Sequence, residues 1–331
     1  METSTEQITY RLYEERDKQA ILQLWEEESG WGAITSAQFD SWYLNTPYGN
    51  CLIVVAENEE DTIVGQLIYA PSRMIMDGKE IKTVRGSSPI LSSNFRQRNI
   101  RDYNHPAFAM MRAGLNFAHE AGYQYVYAFP AYGWLSLLRL FPRMLPNPSD
   151  TASFNCFAIA LDEPLQHSLI NPKYKVVVAE NFTTAYDELW DKAIVHMPVK
   201  FGIVRRSQWL QFTIGGHLVL ETRSVTDSSL VGYMAINKQS GLVVDAFAKD
   251  TTDLEEIFQH SLYFLHSNDK TGITLPFKKL KGMLTEITEP IVRKIGYETD
   301  PFRFAFGSYL LDTSLPFEKL AVSNWYMMPI G

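Results

Sequence analysis

The sequence predicts an α/β fold, an α+β mixed sheet built twice in tandem, from recurrence, length and interleaved periodicities. Leu24-Trp25 returns as Leu189-Trp190, Trp42 with Tyr43-Leu44 as Trp209-Leu210, and Val64-Gly65-Gln66-Leu67 as Val231-Gly232-Tyr233-Met234. Three landmarks keeping nearly the same separation mark duplicated structure. The 331 residues exceed what one hydrophobic core usually fills. Short β-branched runs alternate with segments of helical period, as they do when helices cover a sheet.

The elements follow in order. Ile8 to Leu12 alternates apolar and polar residues as a strand, and Asp17 to Glu27 sets Ile21, Leu22, Leu24 and Trp25 on one helical stripe. Cys51–Glu57 and Thr62–Pro71 read as a hairpin around Asn58-Glu59-Glu60-Asp61, and Ile81–Leu91 as a third strand after the Asp77-Gly78 turn. A polar loop, Ser92 to Asn104, leads to a helix that begins at Pro106 and stops at Gly122. The strand Tyr125–Phe129, a short helix from Trp134 to Phe141 stopped by Pro142, and the strand Phe154–Leu161 close a first domain, 1–165.

The second domain, 172–331, repeats the order after Asn171-Pro172. Its strand is Tyr174–Ala179, its helix Thr184–Ile194, its hairpin Leu218–Ile236 and its third strand Gly241–Ala248. Helix Asp253–His266, strand Gly272–Phe277, helix Glu286–Ile295 and strand Phe302–Leu311 complete it.

Composition narrows the function. With 46% hydrophobic and 21% charged residues the chain is a globular protein with ample core material. A net charge of −8 and no run of Lys or Arg longer than two argue against nucleic acid as a partner. Seven scattered histidines and two isolated cysteines, Cys51 and Cys156, lack the spacing of metal ligands, so no metal is expected. The N-terminus lacks a basic start followed by an apolar core, which predicts a cytoplasmic protein. The most apolar stretch, Tyr125 to Pro146, contains Pro130, Gly133, Arg139, Pro142 and Arg143, so no membrane partner is expected either. A nucleophile elbow, a Walker loop and a dinucleotide fingerprint are all missing from the sequence.

Ala56-Glu57, Ile63-Val64-Gly65, Leu91 to Ile100 and Tyr125 to Pro130 stand in a known order: hairpin, third strand, basic loop, helix, strand ending in proline. On these residues the chain resembles the GNAT superfamily of acyl-CoA-dependent N-acyltransferases, and its duplication resembles the two-domain bacterial members. The resemblance implies acetyl-CoA or another acyl-CoA as co-substrate, and a small-molecule or peptide amine as acceptor. It places the acyl-CoA diphosphate at Leu91, Ser92, Ser93, Arg96, Gln97, Arg98, Asn99, Ile100 and Arg101. In such a loop, backbone N–H groups and a helix dipole attract the anion.

The chain departs from the family pattern here. The leading Arg96 is kept, but Asn99 and Arg101 stand at the two positions for small residues, so Arg96, Arg98 and Arg101 would hold phosphate by side-chain charge. The step from Ala248 to Leu254 is too short for such a loop, so the second half is expected not to bind acyl-CoA. Ala131 and Leu138 occupy the positions of the family's usual Asn and Tyr, leaving Tyr132 as the nearest hydroxyl and Glu57 as a candidate base. Tyr127, Phe129, Tyr132 and Trp134 are expected to line a pocket. Two further readings stay open: a catalytically inactive protein of this fold that binds a ligand or partner, and a Fem-type transferase that takes aminoacyl-tRNA.

Overall fold

The computed structural model describes residues 7–96, 99–161, 170–196, 201–267, 275–316, 318, 321–322 and 325–326. In chain order the first elements are β1 (Thr9–Leu12), α1 (Lys18–Glu28), α2 (Ser36–Phe39), β2 (Leu52–Glu57), β3 (Ile63–Met76), β4 (Lys79–Leu91), α3 (Ser93–Arg96), α4 (Pro106–Glu120), β5 (Tyr125–Ala128), α5 (Leu135–Leu138), α6 (Phe141–Met144) and β6 (Ser149–Ala160). Then come β7 (Tyr174–Val178), α7 (Thr184–His196), β8 (Phe201–Ile203), α8 (Ser207–Ile214), β9 (Leu218–Ser224), β10 (Leu230–Ile236), β11 (Val243–Ala248), α9 (Thr251–His266), β12 (Lys279–Met283), α10 (Thr288–Ile295), β13 (Glu298–Leu310) and β14 (Trp325–Tyr326). Two compact units result. The first is Met1–Met74, Glu80–Ala152 and Phe306–Leu320; the second is Ile75–Lys79, Ser153–Ala305 and Ala321–Gly331.

In the first unit the strands run β1-β2-β3-β4-β5, followed by the C-terminal end of β13. β1 and β2 pair antiparallel, as do β2 and β3. β4 and β5 pair in parallel, a connection that needs a crossover and receives one from α3 and α4. Successive strand residues point to opposite faces, so Ile53 and Val55 join Ile21, Leu24, Trp25 and Phe39 in one cluster. Val54 and Ala56 join Met110, Leu115 and Ala118 of α4 in the other. A sheet covered on both faces explains why Ile53-Val54-Val55-Ala56 is apolar without alternation.

Gly114 sets how closely α4 approaches this sheet. A Cβ there would stand 2.3 Å from Tyr69 Cε2 and 3.0 Å from Val54 Cγ2, with Tyr69 only 3% exposed. Gly114→Leu is therefore expected to destabilise the protein by about 2–3 kcal/mol through overpacking, read as a lower urea midpoint. An unchanged midpoint would mean that the ring has room to move.

In the second unit β7, β9, β10 and β11 form a four-stranded antiparallel sheet in the order β11-β10-β9-β7, and β6 pairs antiparallel with β12. Only Lys249 and Asp250 separate β11 from α9. The Asp250 carboxylate accepts the Asp253 N–H at 2.9 Å and so caps the helix from within the chain. Beneath the sheet Arg205, 1% exposed, meets Asp245, 0% exposed, through Nε at 3.1 Å and Nη2 at 3.1 Å. The Tyr233 hydroxyl donates to the same carboxylate at 2.6 Å.

The recurrent landmarks mark equivalent places at two positions out of three. Trp25 on α1 and Trp190 on α7 are both buried. A Cβ on Gly65 would meet Ile90 O at 3.2 Å, and one on Gly232 would meet Phe247 O at 2.4 Å, so each glycine lets a neighbouring strand approach. Trp42 and Trp209 differ: the first is 42% exposed and the second 5%.

Two expected elements are corrected. Of the strand expected at Gly272–Phe277, residues 272–274 lie outside the described residues and 275–277 are not strand; the strand is β12, where Leu280 and Met283 are wholly buried. Pro276 cannot donate to a ladder, whereas the lysine-rich sequence after it pairs with β6 from Lys279↔Ala160 to Met283↔Cys156. The single helix expected from Trp134 to Phe141 is instead a 3-10 turn, α5 and α6, and Pro142 stands in the first turn of α6.

Candidate functional site

The ladder between β4 and β5 runs through Thr83↔Tyr125 and Val84↔Val126 and ends at Arg85↔Tyr127. Beyond this pair β5 stops at Ala128, while β4 continues to Leu91. Within that extension Ser88 adopts φ +50° and is followed by Pro89. A non-glycine residue at positive φ bends the strand, and a proline inside a sheet is tolerated where no N–H is needed for pairing. The two strands therefore part, and a cavity of about 530 Å³ opens between them.

Residues from both faces of the sheet line this cavity. Trp25 and Trp31, with ring centroids 5.4 Å apart, come from the α1 side; Met111 and Leu115 come from α4. Gly86, Ser87, Ser88 and Pro89 form one wall, Val126 to Ala131 the opposite one, and Trp134, Leu138 and Phe141 cover it. The size and apolar lining suit a small organic ligand, for which pockets of roughly 300–1,000 Å³ are usual. Polar groups are few. The Ser88 hydroxyl lies 3.1 Å from the Tyr43 hydroxyl, and Tyr127 Oη donates to Ser72 Oγ at 3.2 Å. Among the described residues that line the cavity, Arg85 is the one charged side chain, and none is a carboxylate or an imidazole.

Of the aromatic residues expected at a pocket, Tyr127, Phe129 and Trp134 line this one. Tyr132 is 40% exposed and is not among the lining residues. Glu57 ends β2 outside the cavity, where Arg11 grips it through Nε at 2.8 Å and Nη2 at 3.0 Å. The same guanidinium holds the buried Asp17 at 2.6 and 2.8 Å. The hydrogen bonds from Arg11 hold Glu57 below the usual carboxylate range. At Asp17 burial pushes upward, but Arg11 and the Glu14 N–H prevail and the result is also lowered.

These two shifts give a pH prediction with a definite sign. Carboxyls depressed in the folded state add stability above their unfolded values of about 3.9 and 4.3, and that stability is lost as pH falls through the lower folded values. The thermal midpoint of the native chain should drop on acidification from pH 7 to 3, and Arg11→Met should be less stable at pH 7 with a shallower drop. Parallel curves for the two proteins would contradict this.

The loop after β4 is positioned by contacts distant in sequence. Leu91 is buried, and the Ser92 N–H donates to Val64 O at 2.8 Å. Ser93 donates to Glu28 Oε1 through its N–H at 3.1 Å and its hydroxyl at 3.2 Å, and Arg96 forms an ion pair with the other oxygen of Glu28. Gln97 and Arg98 lie outside the described residues. Asn99, Ile100 and Arg101 are exposed, and the Asn99 side chain accepts the Arg101 N–H at 3.1 Å. At the start of α4 the His105 ring accepts the Ala107 N–H at 3.2 Å. Arg112 ties this loop to the helix, donating to Tyr103 O at 2.8 Å beneath the Tyr103 ring. Internal acceptors thus occupy many of the amides that the sequence resemblance assigns to a diphosphate.

Sequence reasoning missed Trp25, Trp31, Met111, Leu115 and the wall from Arg85 to Pro89. The available signal was Gly86-Ser87-Ser88-Pro89, four poor strand formers inside an otherwise β-branched run. Elsewhere in the chain, Cys51 and Cys156 are free, buried thiols that burial pushes up to about 12, which keeps them protonated and unreactive. Among the described residues no helix is long and apolar enough to cross a membrane, and no three His, Cys, Asp or Glu side chains gather as a metal site.

No family model matches the sequence, and no curated protein matches it. Solved structures do match the fold. A GCN5-related N-acetyltransferase from Anabaena variabilis aligns with TM-score 0.63 at 14% identity over 92% of this chain and 73% of its own. A conserved Enterococcus faecalis protein described as a probable N-acyltransferase aligns with TM-score 0.62 at 11% identity, over 93% of this chain and 73% of its own. Saccharomyces cerevisiae N-myristoyltransferase, solved with myristoyl-CoA and inhibitors, aligns with TM-score 0.57 at 8% identity, over 92% and 80%. The chain has the mixed α/β fold of GCN5-related acyltransferases, as its sequence elements led one to expect.

Proposed function

We propose that the protein is an N-acyltransferase that takes acetyl-CoA or another acyl-CoA and transfers the acyl group to an amine. One observation carries this reading: β4 and β5 part after Arg85 and Tyr127 and leave a cavity lined from both faces of the sheet. Such a passage lets an acyl-CoA arm and an acceptor approach one point from opposite sides. Strand edges beyond the last ladder pair offer backbone donors and acceptors to an extended chain. The three structural relatives named above are, by their own descriptions, acyltransferases, which supports the choice of reaction.

In this reading the amine nitrogen attacks the thioester carbon, the C–S bond breaks, and the proton lost by the amine goes to solvent while the thiolate is protonated. Among the described residues no carboxylate or imidazole lines the cavity. Alignment of the two reactants in a water-poor slot therefore supplies most of the acceleration. In this reading Arg96 and Arg101 meet the diphosphate, and Arg96 would exchange Glu28 for phosphate oxygens. We assign this binding to the half spanning 1–165 and none to the half spanning 172–331, where Asp250 caps α9 from within the chain.

Isothermal titration of the full chain with acetyl-CoA and with CoA tests the reading. Saturable heat at micromolar to millimolar ligand is expected. Its absence at several millimolar for both ligands would favour the alternative of a fold kept for ligand or partner binding.

A further inference from the structure

Resting on the acyl-transfer reading of the cavity, we propose that Trp25 and Trp31 form an aromatic clamp that selects a substrate carrying a flat aromatic ring. Trp25 belongs to α1 and is 5% exposed, whereas Trp31, in the loop between α1 and α2, is 58% exposed. Both line the cavity, with ring centroids 5.4 Å apart and planes tilted by 55°. The Tyr43 ring stands 6.4 Å from Trp25 on centroids, so packing fixes the buried member of the pair. The outer member is placed by the backbone. Gly30 and Gly32 on either side of it take φ +72° and +88°, a region that residues with a Cβ enter only with strain, and the Ser29 hydroxyl accepts the Trp31 N–H at 2.9 Å. This turn brings a large ring to the cavity and leaves more than half of the residue in water.

An indole left in water beside an apolar cavity gains when a ligand covers it. Two tilted indoles offer a planar guest a face on one side and an edge on the other, the two arrangements that aromatic pairs prefer. Phe129, Trp134 and Phe141 add further rings to the lining. Phe129 is itself held by rings, 6.1 Å from Tyr127 and 5.3 Å from Phe306 on centroids. A saturated ring of the same size would bury similar area on these surfaces but forgo the pairing between aromatic rings. The guest ring can belong to the acceptor, as in an arylalkylamine, or to the acyl group of an aromatic thioester; the recognition chemistry is the same.

The test titrates two matched pairs into the full-length protein: 2-phenylethylamine against 2-cyclohexylethylamine, and benzoyl-CoA against cyclohexanecarbonyl-CoA. Within each pair charge and size are nearly equal, so the comparison reads the aromatic ring. The native chain should prefer the aromatic member of one pair by about two- to tenfold, the worth of an aromatic pair beyond its area. A preference among the amines places the ring on the acceptor, and one among the thioesters places it on the acyl group. Trp31→Ala should weaken the preferred ligand by about ten- to a hundredfold, the return on covering roughly half an indole, and erase the preference. Trp31→Phe should restore part of both, and thermal unfolding of each variant controls for folding. Equal affinities within both pairs, or an undiminished preference in folded Trp31→Ala, would overturn the proposal. Should Trp31→Ala fail to fold, the indole N–H resonances of the native protein decide: the aromatic ligand shifts that of Trp31 more than its saturated partner does, and equal shifts refute the clamp. Thioester binding with no ring preference removes the clamp and leaves the transferase reading intact, while a ring preference among the amines with no thioester binding does the reverse.

Discussion

Gly86→Phe should weaken acetyl-CoA binding by on the order of a hundredfold or more while leaving the protein folded. Gly86 stands one residue past the last β4–β5 pair and lines the cavity. A Cβ there would meet only ordinary contacts: Ala128 Cβ at 3.8 Å, Tyr127 O at 3.8 Å and Tyr69 Cε1 at 3.9 Å. The backbone tolerates a side chain, so the ring would extend between the strands and take the space that the proposed reading gives to the acyl-CoA arm. A benzyl group in the ligand's path removes the contacts made there, and each 1.4 kcal/mol lost is about tenfold in affinity. Titration and unfolding on the same preparation separate the effects. Full affinity in Gly86→Phe would mean that acyl-CoA does not enter between these strands.

Asp245→Leu should cost the protein about 3–5 kcal/mol, the penalty of leaving a buried charge uncompensated. Arg205 is 1% exposed, and three of its guanidinium contacts are to Asp245. Removing the carboxylate strands the cation and also leaves the Tyr233 hydroxyl without its 2.6 Å acceptor. For a unit of this size the shift in unfolding midpoint is roughly 6–20 °C. The double variant Arg205→Met with Asp245→Leu should recover much of the loss, since well-packed apolar residues often replace a buried pair at little cost. A double variant no better than the single one would show that the network positions the sheet by more than charge balance.

The same physics explains what could be read from the sequence. Alternation and helical period depend on neighbours two to four residues away, so β2, β3, α4, β9 and α9 were legible from the chain itself. The recurrent Gly65 and Gly232 share one setting, a neighbouring strand's carbonyl 3.2 and 2.4 Å from where a Cβ would stand. The site was harder to read because its contacts are long-range. Glu28 reaches Ser93 across 65 residues, and Arg11 reaches Glu57, the candidate base, across 46. Trp25 read as part of a helix's apolar stripe, and only the parting of β4 from β5 gives it and Trp31 a cavity to face. β12 was hidden for a related reason: Lys279 and Lys281 point to the face opposite the buried Leu280, so composition masks the strand that pairing with β6 creates.

The most direct test is a crystal structure of the chain grown with a non-transferable thioether analogue of acetyl-CoA. The pantetheine arm should run between β4 and β5, beside Gly86 to Pro89 on one wall and Ala128 on the other. An analogue bound elsewhere, or an undisturbed cavity at saturating analogue, would contradict it.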